Sequence, residues 1–233
     1  WRELARHLSA RDPERLFLED VNIPKAPNVE RWNTDYPKIV RAMREGAPQH
    51  TLIASANWRV TPNQYDDILG LERMEPTNDP NVVYNFHFYD PFVFTHQNTD
   101  WGWEMLKLMH DLPYPSSPES VAPILSSTDE RARNIVEGYG REAWNADKIV
   151  QQLQRISAWG HAHGVSVTCN EFGTWRQVAP APRVRYLRDT CRALDSLYIG
   201  WTVFDYDGRF RITTEQAGRR ALDPTLLKAL TTR

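Results

Sequence analysis

Short apolar segments alternate with longer amphipathic segments along this chain, and that alternation restricts the fold more than any other feature of the sequence. The amphipathic segments space apolar residues three and four apart, as in Ile149, Leu153 and Ile156, which is typical of a helix that packs on a core. Strands that alternate with such helices form a parallel sheet, so the predicted fold class is α/β. The predicted strands are Arg15–Val21, His50–Ser55, Asn81–Phe86, Gly164–Cys169 and Leu197–Val203, and the predicted helices are Asn33–Gly46, Asn145–His163 and Arg183–Ser196.

The size and charge of the chain exclude several classes of protein. With 233 residues, 41% of them hydrophobic, the chain is long enough for one sizeable core and short for two domains. Its 28 basic and 30 acidic side chains form no basic stripe, which argues against a nucleic-acid or anionic-membrane partner. No apolar run approaches the roughly 20 residues of a membrane-spanning helix. Because metal-binding cysteine spacings, a P-loop and a dinucleotide glycine fingerprint are also absent from the sequence, we expect no metal and no cofactor.

One connection is unusually long. Residues 90–141 separate two predicted elements and are rich in proline and serine around Leu112–Pro118. This composition predicts an elaborated loop with one or two short helices. Loops of such length usually carry function.

Tryptophan is frequent, with nine in the chain, and several lie near the ends of predicted strands. Their flat faces can stack on the C–H faces of sugar rings, so the group indicates a carbohydrate cleft. The alternative is that each ring packs in the core, which is favoured for any single tryptophan because an indole buries much apolar area. The tryptophans near strand ends are Trp58, Trp101, Trp103, Trp175 and Trp201.

A single carboxylate follows the fourth predicted strand, in the sequence Asn170-Glu171-Phe172-Gly173. In a barrel of parallel strands, catalytic residues lie at the carboxyl ends of the strands. Glu171 is therefore a candidate catalytic residue, with a structural ion pair as the alternative.

Three segments of the sequence, Asn81–Gln97, Cys169–Gly173 and Ile199–Tyr206, carry a resemblance to a known family, and it extends through 44–51 and 113–123. The three segments are similar to strands six, seven and eight of glycoside hydrolase family 5, the cellulase-type barrels. The resemblance implies a (β/α)8 TIM barrel that cleaves β-linked glucans or mannans with retention, by means of one glutamate as nucleophile and a second as acid/base. The substrate would be a β-linked oligosaccharide or polysaccharide.

The resemblance also assigns residues to roles. Glu171 matches the nucleophile, and His87 and Tyr89 match a His-x-Tyr pair beside it. A retaining glycosidase needs a carboxylate to attack the anomeric carbon, and a tyrosine hydroxyl can orient that carboxylate. Asn22 matches a residue placed for the sugar 2-hydroxyl. For His87 alone, a hydrogen-bonded structural histidine remains the alternative.

The acid/base position departs from the family pattern. The family has Asn-Glu-Pro at the end of strand four, whereas this chain has Asn22-Ile23-Pro24. Ile23 cannot transfer a proton, and the loss of general acid/base assistance typically costs about 10²- to 10⁴-fold in rate. Glu19 and Asp20 are the nearby carboxylates that could replace it, and Asp20 shares its strand parity with Asn22.

A second departure concerns the aromatic floor of the cleft. Phe204 stands where the family has a tryptophan, and Trp201, three residues earlier, is not an obvious replacement. A smaller ring gives a weaker platform for stacking on a sugar. With Asn22, the expected substrate-binding residues are Trp201, Phe204, Trp58 and Trp175.

The third departure is length, because a barrel of this type usually needs about 250 residues. The resemblance places Trp1 in the third helix of the family fold, so residues 1–233 are expected to form a single domain with strands four to eight. Five strands cannot close an eight-stranded barrel, and we expect an amino-terminal segment of the same protein, or association, to cover the open edges.

Two functional hypotheses follow from these features. The first is a retaining β-glycoside hydrolase of the cellulase type whose turnover is impaired by Ile23. The second is a catalytically degenerate carbohydrate-binding barrel or an inactive fragment. A polymeric substrate would imply a secreted or periplasmic location.

Overall fold

Strands and helices alternate through most of the structure, a computed structural model that describes residues 1–216 and 218–232. The strands are β1 (Leu18–Glu19), β2 (Leu52–Ser55), β3 (Arg59–Thr61), β4 (Gln64–Tyr65), β5 (Val82–Phe88), β6 (Ser166–Phe172), β7 (Gly200–Val203), β8 (Thr213–Gln216) and β9 (Arg219–Leu222). The α-helices are α1 (Arg2–Leu8), α2 (Val29–Gly46), α3 (Asp67–Glu72), α4 (Phe92–Thr95), α5 (Pro118–Leu125), α6 (Glu130–Glu142), α7 (Ala146–His163), α8 (Pro180–Ser196) and α9 (Pro224–Thr231), and a 3₁₀ helix covers Glu104–Leu108.

The five predicted strands form one sheet in the order β1-β2-β5-β6-β7. Strand β1 runs parallel to β2, with Leu18 opposite Leu52, and β2 runs parallel to β5, with Leu52 opposite Val82. Parallel strands joined by helices in this order are strands four to eight of a (β/α)8 barrel, which confirms the predicted fold class. The sequence did not predict the two hairpins, β3–β4 and β8–β9.

The chain divides into two compact units. The first unit contains Trp1–His87 and Gln154–Asn170, and the second contains Phe88–Leu153 and Glu171–Arg233. The division therefore falls within β5 and within β6. The expectation of a single domain over 1–233 stays a prediction.

Helix α2 shows how the sequence fixes an element of the first unit. The Asn28 side chain accepts a hydrogen bond from the backbone N–H of Arg31 at 2.8 Å, so α2 begins earlier than its apolar pattern indicates. Trp32, Tyr36 and Val40, spaced by four, are all buried. Burial of this face against the sheet supplies most of the driving force for the helix.

The connection over 90–141 is more helical than the sequence predicted. It contains α4, a 3₁₀ helix, α5 and the 13-residue helix α6. Helix α5 begins with a capping box in which Ser117 and Ser120 bind each other's backbone N–H groups, and Pro118 occupies its first turn. Proline at that position favours a helix start, so the prolines mark a helix boundary here and not only a loop.

Strand β1 is shorter than predicted. Only Leu18 and Glu19 of the predicted Arg15–Val21 pair with a neighbour, and within the described residues that neighbour is β2 alone. The backbone N–H of Asp20 continues the pairing with the Ile53 carbonyl at 3.0 Å. None of the helices in the described ranges is long and apolar enough to cross a bilayer.

Candidate active site

The second unit holds the candidate nucleophile together with one residue predicted to support it. The Tyr89 hydroxyl donates a hydrogen bond to Glu171 Oε2 at 2.9 Å. Tyr89 directly follows β5, and its carbonyl accepts a hydrogen bond from the Thr95 hydroxyl at 2.6 Å. The Tyr89 ring also packs edge-on against His96 and Phe210, with centroids 5.2 and 5.6 Å apart. These contacts hold a donor against one carboxylate oxygen, which orients a nucleophile.

His96 belongs to this aromatic surrounding and was not among the site residues predicted from the sequence. It is buried, its ring stacks on Phe92 with centroids 3.9 Å apart, and its Nδ1 lies 2.9 Å from Thr95 Oγ1. Burial lowers the pKa of His96 to about 3. The imidazole is therefore neutral near pH 7 and supports Tyr89 by packing. A signal for this role is missing from the sequence because it depends on contacts between side chains.

Phe204 and Gly173 approach each other closely in the same unit. The Phe204 N–H donates to the Phe172 carbonyl at 2.8 Å, and a Cβ on Gly173 would lie 2.2 Å from the Phe204 carbonyl oxygen. Only glycine allows that approach. The Phe204 side chain is 38% exposed, so one part of its ring is available to a ligand. This placement agrees with the substrate-binding role predicted for Phe204 and does not test it.

Gly173→Ala is expected to destabilise the fold by about 1–3 kcal/mol, because its methyl group would overlap a backbone oxygen that cannot rotate away. Urea unfolding followed by circular dichroism measures the change. The matched control is Gly138→Ala, within α6, where the nearest atom to the added Cβ is the end of the Arg141 side chain at 3.9 Å. The free energy of unfolding of this control variant is expected to rise by about 1 kcal/mol. Equal free energies of unfolding in the two variants would contradict the described approach of Gly173 to Phe204.

Two predicted substrate-binding tryptophans of the second unit lie in packed positions. The Trp201 Nε1–H donates to Asp195 Oδ1 of α8 at 2.9 Å, and its ring packs edge-on against Phe172. Trp175 is only 5% exposed and packs against Trp101 and Phe210. Both placements favour the packing interpretation over sugar contact. Trp101 and Trp103, in contrast, are exposed.

The first unit holds the residues predicted at the acid/base position. Asn22 and Ile23 are exposed, whereas Pro24 is buried. Ile23 has a φ of 49°, in the left-handed region that β-branched residues rarely adopt. The surrounding structure therefore holds this backbone in a conformation that isoleucine itself disfavours. His87, the other predicted neighbour of the nucleophile, also belongs to the first unit and is buried in β5.

Trp58 lies beside the loop that carries Ile23. Its backbone N–H donates to the Pro24 carbonyl at 3.0 Å. The Lys25 ammonium lies 4.9 Å from the centroid of the Trp58 ring, and the Tyr65 ring lies 4.5 Å from it. Of the predicted substrate-binding tryptophans, Trp58 is the one with partial exposure next to the predicted acid/base position.

Glu19 and Asp20, the two carboxylates that the sequence suggested as replacements for an acid/base at Ile23, both accept hydrogen bonds. Glu19 Oε1 accepts a hydrogen bond from the Ser55 hydroxyl at 2.6 Å, and its Oε2 accepts one from the Asn170 amide at 2.9 Å. Asp20 is 2% exposed, and its Oδ1 accepts hydrogen bonds from the N–H groups of Val21 and Ser55 at 2.6 and 3.0 Å. Because Asp20 lies on the same face of its strand as Asn22, the sequence favoured Asp20 as the replacement. In the structure, Glu19 is the one that binds side chains of other strands, those of Ser55 and Asn170.

The buried carboxyl of Asp20 makes the stability of the fold depend on pH. Burial, more than the charge of Glu19, raises its pKa from 3.8 to about 7, and its Oδ2 has no hydrogen-bond partner among the described residues. The folded state therefore binds this proton more tightly than the unfolded state does. The stabilisation is fully present below pH 4 and is lost as the pH rises from about 4 to about 7.

Asp20→Asn is expected to remove this dependence, because asparagine keeps the neutral shape of the protonated carboxyl. Between pH 5 and pH 8, the free energy of unfolding should fall by about 1–3 kcal/mol less in the variant than in the parent chain. Urea unfolding at the two pH values measures both. Asp35→Asn, at an exposed ion-paired carboxylate of α2 whose pKa is lowered by Lys38 and Arg31, is the control. A parent chain whose stability changes with pH as little as that of Asp20→Asn would contradict the assignment.

A family model, curated relatives and solved structures match this chain. The model of cellulase, glycosyl hydrolase family 5, matches residues 1–209. The chain belongs to glycoside hydrolase family 5. This family 5 chain is 27% identical to Endoglucanase 3 of Fibrobacter succinogenes over 97% of its own length and 35% of that protein. It is 26% identical to Endoglucanase C of Acetivibrio thermocellus over 88% of its own length and 57% of that protein.

A solved structure confirms the fold of this family 5 chain. A hyperthermophilic endo-beta-1,4-glucanase in complex with substrate superposes with a TM-score of 0.78 at 18% identity, over 100% of this chain and 64% of that one. The chain thus spans between about one third and two thirds of the length of these three proteins.

The described residues contain no group of three or more histidine, cysteine or acidic side chains that could hold a metal ion.

Proposed function

We propose that this chain carries the nucleophile of a retaining β-glycoside hydrolase of the cellulase type, and that its turnover is impaired because Ile23 occupies the acid/base position. The observation that carries the proposal is the hydrogen bond of 2.9 Å from the Tyr89 hydroxyl to Glu171 Oε2. It joins two residues that the resemblance assigned to nucleophile and support. The names of the relatives, which are endoglucanases, favour a β-linked glucan as substrate.

The chemistry divides into two steps with different needs. In the first step a Glu171 carboxylate oxygen attacks the anomeric carbon, the bond to the leaving oxygen breaks, and a glycosyl ester forms. The leaving oxygen needs a proton unless it is already a stable anion. In the second step water attacks the ester, and a base must take its proton. Tyr89 serves the first step by orienting the carboxylate and by donating a hydrogen bond to it.

Ile23 affects both proton transfers. An acid/base glutamate would protonate the leaving oxygen and then activate the water. Isoleucine does neither. We therefore expect the glycosylation of Glu171 by natural glycosides and the hydrolysis of the resulting ester each to be slower by about 10²- to 10⁴-fold. Asn22 and Phe204 would bind the sugar at its 2-hydroxyl and its ring face. A polymeric substrate would place the protein outside the cytoplasm, secreted or periplasmic.

An activated substrate tests the proposal. With 2,4-dinitrophenyl β-cellobioside, the leaving group is a stable anion, so glycosylation of Glu171 scarcely needs an acid while deglycosylation still needs a base. We expect stopped-flow absorbance to show a burst of close to one equivalent of dinitrophenolate per chain, followed by a stall. Sodium azide, which attacks the ester without a base, should accelerate the second phase. Steady hydrolysis of β-glucan at ordinary enzyme rates would contradict the impairment.

A second candidate function is carbohydrate binding without turnover. The exposed rings of Phe204, Trp101 and Trp103 favour it, together with the absence of a proton donor at Ile23. In this case, isothermal titration calorimetry would detect binding of cellohexaose, while the activated substrate would give no burst. The expectation that an amino-terminal segment supplies further βα units also stays a prediction.

A further inference from the structure

We propose that Glu19 is a positioning residue for the nucleophile, acting through Asn170. The inference rests on the proposed role of Glu171. It concerns a polar cluster in the first unit that the family resemblance did not assign, namely the side chains of Glu19, Ser55, Asn85 and Asn170. Each comes from a different strand, and those strands, β1, β2, β5 and β6, are consecutive in the sheet.

Glu19 is the charged member of this polar cluster. It accepts hydrogen bonds from the Ser55 hydroxyl at 2.6 Å, from the Asn170 amide at 2.9 Å and, at a longer 3.4 Å, from the Asn85 amide. The Asn85 amide also donates to Ser55 Oγ at 3.1 Å. Ser55 and Asn85 are buried. If Glu19 were removed, their donor groups would therefore lose this partner and could not replace it with bulk water. Hydrogen bonds to a carboxylate are stronger than neutral ones, and a buried donor left unpaired costs about 1–3 kcal/mol.

Asn170 is held from two directions by this polar cluster. Its side chain donates to Glu19, and its backbone N–H donates to Asn85 Oδ1 at 3.0 Å. The acceptor of this backbone N–H is a side chain, so the orientation of the Asn170 peptide group depends on where the Asn85 side chain is held. The backbone of β6 at Asn170 therefore depends on Asn85, which Glu19 and Ser55 hold in turn. Glu171 is the next residue in β6.

Glu19 acts as an acceptor and not as a substitute acid. Both of its carboxylate oxygens already accept hydrogen bonds, and none of the polar cluster's contacts uses it as a donor. Its effect on the reaction would come from geometry. Displacement of a reacting group by about 1 Å can cost on the order of 10²-fold in rate, so loss of the Glu19 anchor should slow attack by Glu171.

Covalent labelling by 2,4-dinitrophenyl 2-deoxy-2-fluoro-β-cellobioside tests the role, since it reports the first chemical step alone. In Glu19→Leu, we expect the limiting inactivation rate constant to fall by about 10- to 100-fold, with the apparent dissociation constant within about twofold of the parent value. Asn170→Ala should show the same split. Because both variants remove the hydrogen bond between Asn170 and Glu19, the rate constant of the double variant should fall little further than that of either single variant.

A conservative variant separates hydrogen bonding from charge. In Glu19→Gln, the new amide can face Asn170, whose Oδ1 is buried with no hydrogen-bond partner among the described residues and can accept after the Asn170 amide turns over. We therefore expect labelling within about threefold of the parent rate constant. Labelling as slow in Glu19→Gln as in Glu19→Leu would contradict the hydrogen-bonding role.

Asp79→Leu is the matched control for lost stability. Asp79 also accepts three hydrogen bonds in the first unit, two from Arg44 and one from the Asn81 N–H, but it precedes the amino-terminal end of β5. Its removal should lower the stability and leave the labelling rate constant unchanged. An equal loss of rate in Asp79→Leu and Glu19→Leu, or parent-like labelling in Glu19→Leu, would overturn the proposal.

Hydrogen exchange distinguishes failure of this inference from failure of the proposed function. Exchange at the Asn170 amide, followed by mass spectrometry of peptides over 166–172, needs no catalysis. We expect exchange at that amide to be about tenfold faster than in the parent chain in Glu19→Leu. In Asp79→Leu the exchange rate should equal that of the parent. Unchanged exchange in Glu19→Leu overturns the positioning role even if the parent chain is labelled. Faster exchange in Glu19→Leu, combined with a parent chain that is never labelled, would support the hydrogen-bonding role of Glu19 and reject Glu171 as the nucleophile.

Discussion

Glu171→Gln is expected to abolish the burst of dinitrophenolate and to lower its release by at least about 10³-fold. Glutamine keeps the size of the side chain and can still accept the hydrogen bond from Tyr89, but its amide is not a nucleophile for the anomeric carbon. No glycosyl ester can then form. Stopped-flow absorbance with 2,4-dinitrophenyl β-cellobioside measures the burst, and circular dichroism checks that the variant is folded.

The matched control for this prediction is Glu142→Gln. Glu142 is another glutamate of the second unit whose carboxylate accepts a hydrogen bond from an aromatic side chain, the Trp144 Nε1–H at 2.6 Å. Its variant should keep the full burst. A Glu171→Gln chain that gave the parent burst would show that another group attacks the sugar.

Ile23→Glu is expected to accelerate release of the sugar by about 10²- to 10⁴-fold, so that the stall after the burst disappears. The new carboxyl would supply the base for water and the acid for poorer leaving groups. Glutamate is also unbranched at Cβ, so it fits the φ of 49° at this position with less strain than isoleucine does. Single-turnover kinetics of the trapped ester, with and without azide, measure the gain.

Ile23→Gln separates proton transfer from relief of strain. Glutamine matches glutamate in shape and backbone preference but does not titrate, so it should leave the stall in place. The rate in Ile23→Glu should also depend on pH, whereas the rate in Ile23→Gln should not. Equal rates in the two variants would show that something other than the missing acid/base limits turnover.

The sequence predicted the sheet well because its strands and helices are encoded locally. Apolar runs such as that within β5 and the spacing of Ile149, Leu153 and Ile156 in α7 were enough to place both kinds of element. The connection over 90–141 was predicted to hold one or two short helices, but α6 is longer than that. The start of α5 was not located because Pro118 lies in its first turn, where proline favours a helix although the proline-rich composition indicates a loop.

The candidate site was predicted only in part, because side-chain direction depends on neighbours that are distant in sequence. Glu171 and Tyr89 are 82 residues apart and were paired by resemblance, and the structure gives them a hydrogen bond. Trp175 and Trp201 were named for sugar contact, yet one is buried among other rings and the other binds α8. The spacing of apolar residues does not show which side chains an indole ring packs against. The contacts of Trp175 and Trp201 therefore follow only from the three-dimensional structure.

The site of covalent labelling tests the role of Glu171 as the nucleophile without relying on turnover. The parent chain would be incubated with 2,4-dinitrophenyl 2-deoxy-2-fluoro-β-cellobioside, digested and mapped by tandem mass spectrometry. We expect one fluoroglycosyl group per chain, carried by Glu171. A label on any other residue, or an unlabelled chain that still binds cellohexaose, would contradict the claim that Glu171 is the nucleophile.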